Sequence, residues 1–277
     1  QDAVNALSAG VSGPVVFKIR SGTWSSATTS IANLGAVAGA SATNTVTFEA
    51  ENGNAATTII TNTSTSSSST ANHIFYFNGA KYIRVRNLTL DKTHTTYGTC
   101  LRFAGDADYN IVENCVLTGN TGTSSSTSKA RVYGTSLSSA DNNIIRNNTI
   151  NNGSYGVYWR GSSSSSSGLS QDNEISGNTL SSPYSYGIYT YYTNNQKING
   201  NTINTSLSGS FYGIYCAYGD GGLEVKNNSG SITGKTSTTM AMYIYYCDGT
   251  SSNHAEISGN NFTLSSSSTV YPIYNMY

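Results

Sequence analysis

The amino-acid sequence predicts an all-β protein: a right-handed, single-stranded parallel β-helix with coils of about 23–33 residues and a short N-terminal capping helix. Three observations predict it. Two sequence phrases recur with one period, apolar and polar residues alternate in short runs, and strong helix formers are scarce after the first ten residues. Period-two alternation is typical of strands, because a helix needs apolar residues every three or four positions.

The first phrase reads IRNNTI or INGNTI, and its copies are separated by 27, 33, 30, 23, 27 and 32 residues. Its copies begin at Val85, Val112, Ile145, Ile175, Ile198, Val225 and Ile257. Asn tolerates the left-handed conformation of a tight corner, and its amide can bond to the equivalent Asn one coil away. We therefore expect Asn201 and the glycines at 177, 200 and 259 to form corners between strands.

The second phrase reads YGIY and falls between copies of the first, with spacings of 31, 26, 28 and 31 residues. Its central apolar residues are Val157, Ile188, Ile214, Met242 and Ile273. Because two independent phrases share one period, each period is interpreted as one coil whose apolar side chains stack on those of its neighbours.

The N-terminus departs from the repeat. DAVNALSAG at 2–10 has apolar residues at helical spacing and ends in Gly, so residues 1–12 are predicted to cap the first coil. VSGPVVFKIRSGTW follows as a first strand and turn, and residues 1–277 are interpreted as one domain. YPIYNMY still belongs to the second phrase, so we expect no matching cap at the C-terminal end.

Composition excludes several function classes. Charged residues make up 10% of the chain and the net charge is zero, so a nucleic-acid partner, which needs a basic face, is not expected. No apolar run reaches the length of a membrane span, so membrane insertion is not expected. No cysteine or histidine spacing matches a metal site, and no cofactor is predicted.

The four cysteines, Cys100, Cys115, Cys216 and Cys247, leave two interpretations open. They form two disulfides in an oxidising compartment, or they are small buried apolar side chains.

Several stretches resemble a known family. DAVNALSAGVSGPVVFKIRSGTW, ASATNTVTFEAENG, KYIRVRNLTLD and SYGVYWRG are similar to secreted β-helix proteins of Bacteroidetes-type bacteria, and the NNTI and YGIY coils resemble the pectate-lyase-like repeat. The resemblance covers nearly the whole chain and implies a β-helix outside the cell or on its surface. It leaves activity open, since such helices serve as lyases, glycosidases, epimerases, adhesins and structural shafts.

Catalysis on a polysaccharide would need paired carboxylates, or carboxylates with calcium and a basic residue. The weak candidates are Asp106 with Asp108 and Asp172 with Glu174, with Arg102 or Arg160 nearby in coil register. The ordered NxD, DD, GHG and RxK motifs of polygalacturonase-like enzymes are missing. We therefore favour solvated corner residues over catalytic ones.

The tyrosines give a stronger signal. The residue after each central apolar position of the second phrase is Tyr158, Tyr189, Tyr215, Tyr243 or Tyr274, and three positions further on stand Tyr192, Tyr218, Tyr246 and Tyr277. Strand alternation directs the first set outward, in a column of rings ~4.8 Å apart. The column either binds glycans or another protein, or stabilises adjacent coils.

The predicted function is a non-catalytic extracellular adhesive or structural β-helix, such as a shaft segment or a self-assembling filament subunit of a bacterial surface. The alternatives are a polysaccharide lyase or glycoside hydrolase, and a glycan-binding module that uses the tyrosine columns. The expected partners are head-to-tail copies of the chain, further domains of a longer chain, or glycans.

Overall fold

The computed structural model describes residues 2–27, 30–64, 73–137 and 139–276. Their strands form three parallel sheets, and each strand pairs with the equivalent strand of the coil before and after it. This topology is the right-handed parallel β-helix that the repeat predicts. In the described residues, four short helical segments lie outside the sheets, at Asp2–Ala9, Ala55–Thr57, Thr127–Lys129 and Ser166–Gly168.

The strands are named here by the sheet to which they belong. Sheet 1 contains Val15–Ile19, Val46–Ala50, Ile83–Arg86, Ile111–Glu113, Ile144–Arg146, Glu174–Ser176, Lys197–Asn199, Glu224–Lys226 and Glu256–Ser258. Sheet 2 contains Gly22–Ser26, Thr58–Asn62, Thr89–Lys92, Val116–Gly119, Thr149–Asn151, Thr179–Ser181, Thr202–Thr205, Ser229–Lys235 and Asn261–Ser266. Sheet 3 contains Ser30–Leu34, His73–Asn78, Leu101–Ala104, Val132–Gly134, Tyr155–Arg160, Tyr186–Asn194, Phe211–Asp220, Thr239–Asp248 and Val270–Met276, with the short strand Ser170–Gln171 paired to Tyr186–Asn194.

The predicted N-terminal helix is present as one α-helical turn, Asp2–Asn5, continued by the 3-10 segment Ala6–Ala9. It ends at Gly10, whose φ of 79° lies in the left-handed region. Leu7 is buried, and Ala3 and Val4 pack against the apolar core of the first coils.

The core is a set of apolar stacks inside the helix. Ile145, Ile175, Ile198 and Val225 succeed one another in sheet 1, and all are essentially inaccessible to solvent. The central residues of the second phrase form the equivalent stack in sheet 3, including Val157, Ile188 and Ile214. Because inward residues of the inner coils are covered by their neighbours above and below, burial explains the apolar half of each phrase there, whereas Ile273 in the last coil stays 52% exposed.

At the corners after the sheet 1 strands, a residue with a positive φ angle is followed by a residue whose side-chain amide bonds to the next coil. Gly177, Gly200 and Gly259 have φ between 62° and 66°, as the repeat predicts. Asn201 follows Gly200 in the corner between the strands Lys197–Asn199 and Thr202–Thr205, as the repeat predicts, and its side chain is fully buried. It donates from Nδ2 to Asn228 Oδ1 and accepts from Asn178 Nδ2, both at 3.0 Å. An amide that points inward at a corner therefore satisfies polar groups of two neighbouring coils at once.

A ladder of alternating charge runs along the outside of sheet 1. Lys18, Glu49, Arg86, Glu113 and Arg146 occupy equivalent positions in five successive coils. Glu49 contacts Lys18 at 3.5 Å and Arg86 at 2.5 Å, and Arg146 contacts Glu113 at 2.7 Å. Acidic and basic residues that lie apart in the sequence are therefore neutralised by their neighbours in the next coil.

All four cysteines are buried free thiols, which matches the second of the two interpretations left open by the sequence. Cys115 lies one coil before Asn148, at the equivalent inward position. Its backbone N–H donates to Asn148 Oδ1 at 2.9 Å. The thiol of Cys100 donates to the carbonyl oxygens of Leu90 and Thr118, both at 3.3 Å.

Candidate functional site

The outer surface of sheet 3 carries a column of stacked tyrosines. The rings of Tyr158, Tyr189, Tyr215, Tyr243 and Tyr274 follow one another with centroid separations of 4.8, 4.8, 4.6 and 5.2 Å. The planes of successive rings differ by 12° or less. The separation matches the strand spacing expected from the sequence. The rings are less exposed than expected, because each ring covers its neighbours. Tyr158, for example, is only 9% exposed to solvent.

This column extends further toward the N-terminus than the phrase YGIY does. Tyr133 stacks on Tyr158 at 5.4 Å, and Arg102 precedes Tyr133 in register. The guanidinium carbon of Arg102 lies 5.1 Å from the ring centroid of Tyr76 and 6.0 Å from that of Tyr133, so the cation sits between two rings. The coils of Tyr76 and Tyr133 do not contain the second phrase. The alternation of apolar and polar residues in HIFYFN and ARVYG is the signal that identifies the outward positions of these two tyrosines.

A second column, Tyr155, Tyr186 and Tyr212, runs beside the first. Its rings stack at 4.7 and 5.0 Å. Each ring also makes an edge-to-face contact with the tyrosine three residues later in the same strand. The interplanar angles of these contacts are 88°, 85° and 79°. Edge-to-face and stacked contacts are the favoured arrangements of aromatic rings, and here they form one continuous patch.

The glycine between the paired tyrosines makes the two columns possible. A Cβ on Gly187 would lie 2.5 Å from the Gly213 carbonyl oxygen, and one on Gly213 would lie 2.5 Å from the Ala241 carbonyl oxygen. A side chain at either position would therefore point inward, where there is no space for it. The register between coils skips the glycine, and the tyrosines on both sides of it face outward. The glycine of YGIY is thus required by the packing between coils.

A third group lies at the far end of the same strands. Tyr192, Tyr218 and Tyr246 adopt positive φ angles of 55°, 49° and 44°, and Tyr218 stacks on Tyr246 at 5.4 Å. The guanidinium of Arg160 lies over Tyr191 and Tyr192, at 5.4 and 5.7 Å from their centroids. Tyr277, the fourth member predicted for this column, lies outside the described residues. The outward tyrosines of sheet 3 from Tyr133 to Tyr274 are called the tyrosine face below.

The tyrosine face has arginine guanidinium groups against its rings and exposed aspartates at the ends of two of its strands. Burial raises the pKa of Tyr186 to about 12, and it also raises the pKa of Tyr158, Tyr189 and Tyr215. The phenols therefore stay protonated at physiological pH and offer neutral hydroxyl groups rather than phenolates.

A groove of about 470 Å³ runs along one border of the tyrosine face. It is lined by Ser125, Tyr155, Tyr184, Ser185, Tyr186, Ser210 and Tyr212, and is called the serine–tyrosine groove below. Tyr184 differs from the other lining tyrosines, since no aromatic ring of the described residues packs on it. Gly209 lies beside Tyr184, and a Cβ at Gly209 would be 3.4 Å from the Tyr184 hydroxyl. This groove has no signature in the sequence, because it depends on how a connection folds against sheet 3.

The predicted carboxylates have local partners. Asp106 accepts a hydrogen bond from the Ser139 hydroxyl, and Asp108 pairs with Lys81 at 2.6 Å while accepting from the Asp141 backbone N–H at 3.0 Å. Asp172 accepts from Asn195 Nδ2 at 3.0 Å, and Glu174 accepts from the hydroxyl of Ser176.

The arginines named beside those carboxylates contact aromatic rings. Arg102 and Arg160 lie against tyrosines of sheet 3, and the cation bonded to Asp108 is Lys81. A cluster of these carboxylates with Arg102 or Arg160 stays a prediction.

The described residues show neither a metal-ligand group nor a membrane-spanning helix. In the described part of the chain, no three His, Cys, Asp or Glu side chains are grouped so that they could hold a metal ion. Burial raises the pKa of Cys100 and Cys247 to about 11 and that of Cys115 to about 12, so these thiols stay protonated. No helix within the described ranges has the length and apolarity needed to span a bilayer.

Comparison with known proteins identifies similar chains. A family model described as "Periplasmic copper-binding protein (NosD)" matches residues 23–275. Rice weevil pectin methyl esterase superposes with a TM-score of 0.53 at 12% identity, over 97% of this chain and 84% of that one. The Streptococcus pneumoniae surface protein and adhesin PfbA superposes with a TM-score of 0.51 at 10% identity, over 100% of this chain and 94% of that one. At 12% and 10% sequence identity, the similarity of these two structures to this chain shows a shared fold and nothing more. No curated protein matches the sequence.

Proposed function

The chain belongs to the NosD family, and we propose that it is a non-catalytic adhesive β-helix that works outside the cell membrane. The observation that carries the proposal is the tyrosine face, in which stacked and edge-to-face rings form one patch over successive coils. Tyrosine supplies a large, rigid contact area with a polar hydroxyl, and is enriched at binding surfaces for that reason. A solenoid holds these groups at fixed positions along its axis.

The charges of the molecule support a structural scaffold rather than a catalytic centre. Asp108 is neutralised by Lys81, and Glu49 and Glu113 belong to the charge ladder of sheet 1. Glycoside hydrolysis needs two carboxyl groups that flank one bond, one of them free to give a proton. Asp106, Asp108 and Asp172 are instead engaged by donors of adjacent coils, and Glu174 is engaged by a serine of its own strand.

The family description mentions copper, but the residues present do not fit a copper centre. Cu(I) and Cu(II) sites use thiolate, thioether or imidazole ligands grouped around the ion. Here the thiols of Cys100 and Cys115 are buried, protonated and bonded to carbonyl oxygens, and the described residues contain no group of three His, Cys, Asp or Glu side chains that could hold a metal ion. We derive no role for copper in this chain.

Location outside the cell membrane is part of the proposal. The matching family is described as periplasmic, and one of the similar structures is a surface protein of Streptococcus pneumoniae. The composition, low in charged residues and rich in Ser, Thr and Asn, is compatible with either the periplasm or the cell exterior.

The proposal is tested by co-sedimentation of the purified protein with bacterial cells and with extracellular polymer preparations. We expect retention, together with no release of reducing ends or unsaturated sugars from the same samples. The double variant Tyr246→Ala/Tyr271→Ala removes two exposed rings of the tyrosine face and should weaken retention. Tyr109→Ala is the matched control, since Tyr109 is similarly exposed but lies away from sheet 3.

Two results would contradict the proposal. One is product release that Asp108→Asn abolishes, which would indicate an enzyme. The other is retention that stays the same in the double variant, which would place adhesion on another surface.

A further inference from the structure

We infer that the serine–tyrosine groove binds a neutral polysaccharide chain lying parallel to the helix axis. The inference rests on the proposed adhesive function, because it names the class of ligand that the tyrosine face would hold. It also locates the ligand at the border of that face rather than on the central column of rings.

The central column is poorly suited to stacking on a sugar. Carbohydrates contact aromatic side chains by laying a pyranose ring against a ring face, and the faces in the column are covered by one another. Tyr189, for example, has Tyr158 on one side and Tyr215 on the other, both with centroids at 4.8 Å. What the column presents to solvent is mainly ring edges and hydroxyl groups.

The groove offers the missing face. Tyr184 is half-buried and lines the groove, and no ring of the described residues covers it. Gly209 carries no side chain beside the Tyr184 hydroxyl, and its φ of 97° keeps a glycine there, so space over this ring is preserved. A sugar ring entering the groove can lie on Tyr184 without displacing another aromatic contact.

The groove also repeats along the axis. Tyr155, Tyr186 and Tyr212 form one wall, with ring separations of 4.7 and 5.0 Å. Ser125, Ser185 and Ser210 add hydroxyl groups to the lining. Such a spacing is comparable to the length of one pyranose unit in an extended chain, so successive sugars meet equivalent groups from successive coils. A linear polymer therefore fits this site better than a compact molecule.

The lining selects for an uncharged ligand. It contains four phenols and three serines, and no carboxylate, amine or guanidinium. Burial raises the pKa of Tyr186 to about 12 and also raises that of Tyr155, so these phenols remain neutral hydrogen-bonding groups. An acidic polysaccharide would bring carboxylates or sulfates to a site without a cation to pair with them, at a cost in desolvation.

The experiment uses the whole protein and affinity electrophoresis in gels containing one soluble polysaccharide. The neutral probes are a β-glucan, a mannan and a xylan, and the acidic probes are polygalacturonate and alginate. We expect retardation by at least one neutral polymer and none by the acidic ones. Tyr184→Ala should weaken the binding of that polymer about tenfold, the equivalent of one lost aromatic contact.

Two further variants distinguish ring contact from loss of fold. Tyr184→Phe keeps the ring and should retain most of the affinity, whereas Ser210→Trp fills the groove and should abolish binding. Tyr109→Ala serves as the control with unchanged affinity, and circular dichroism melting verifies the fold of each variant.

The inference is overturned if the acidic polymers bind and the neutral ones do not, or if Tyr184→Ala binds as tightly as the unmodified protein. Retention on cells that persists when no neutral polymer binds would refute the inference and leave the adhesive function standing. Loss of cell retention in the Tyr246→Ala/Tyr271→Ala variant, together with unchanged retention of Tyr184→Ala, would likewise refute the inference and leave the adhesive function standing.

Discussion

Tyr158 and Tyr189 lie with their ring centroids 4.8 Å apart and their planes within 1° of each other, although 31 residues separate them in the sequence. The contact exists because both residues occupy the same outward position in successive coils. It is repeated by Tyr215, Tyr243 and Tyr274, so one local phrase generates a surface that spans several coils. The same rings serve two purposes, since they stabilise the stack and define the proposed adhesive face.

Replacing a ring in the middle of this column should destabilise the protein. Tyr189→Ala removes stacked contacts with Tyr158 and Tyr215 and an edge-to-face contact with Tyr186. We expect a loss of about 2 kcal/mol in the free energy of unfolding, read as a lower urea midpoint. Tyr189→Phe keeps the ring and should change the midpoint little. An unchanged midpoint in Tyr189→Ala would mean that the column contributes nothing to stability.

The fold and the central column were predictable because both depend on repetition. Ile188 and Ile198 are inward and Tyr189 is outward by strand alternation alone, and the recurrence of the phrases identifies their neighbours in the next coil. Arg102 escaped prediction as a member of the column, because an arginine between Tyr76 and Tyr133 does not resemble the phrase that defines the other coils.

The serine–tyrosine groove was not predictable for a different reason. Tyr184 lies in a connection, and connections have no alternation that fixes where a side chain points. Its position depends on the turn before sheet 3 and on Gly209 in the next coil, whose importance becomes visible only in three dimensions. Likewise, the pairing of Asp108 with Lys81 joins residues 27 apart and has no local sequence signal.

The inward amides should tolerate substitution poorly. Asn201→Leu would leave Asn178 without its acceptor and the Ile175 carbonyl without its donor, while the side chain itself remains buried. We expect a loss of about 2–4 kcal/mol in the free energy of unfolding, because buried polar groups would lose their partners. The control is Asn204→Leu, which changes an exposed Asn nearby in sheet 2. Equal midpoints in urea for the two variants would contradict the role assigned to the amides.

The charge ladder of sheet 1 should add a small, salt-sensitive stabilisation. Glu113 and Arg146 are joined at 2.7 Å, but the arginine side chain remains 39% exposed, which limits the strength of the pair. A double-mutant cycle of Glu113→Gln and Arg146→Met should give a coupling energy of about 0.5 kcal/mol at low salt that decreases in 0.5 M sodium chloride. A coupling energy that is zero at low salt would show that the ladder is only a surface arrangement.

Stability should fall in acid partly because of His73. Its side chain is buried, neither ring nitrogen has a hydrogen-bond partner among the described residues, and burial, with the charges of Arg102 and Lys92, lowers its pKa to about 4. In the unfolded chain the pKa of histidine is about 6.5, so the unfolded state binds a proton first as the pH decreases. The stabilisation from neutral His73 is therefore complete above pH 6.5 and is lost progressively between pH 6.5 and about 4.

His73→Phe keeps a ring against Tyr76 and removes the titration, so the urea midpoint of this variant should decline less over that interval than that of the unmodified protein. Parallel pH profiles for the two proteins would show that acid sensitivity arises from other groups.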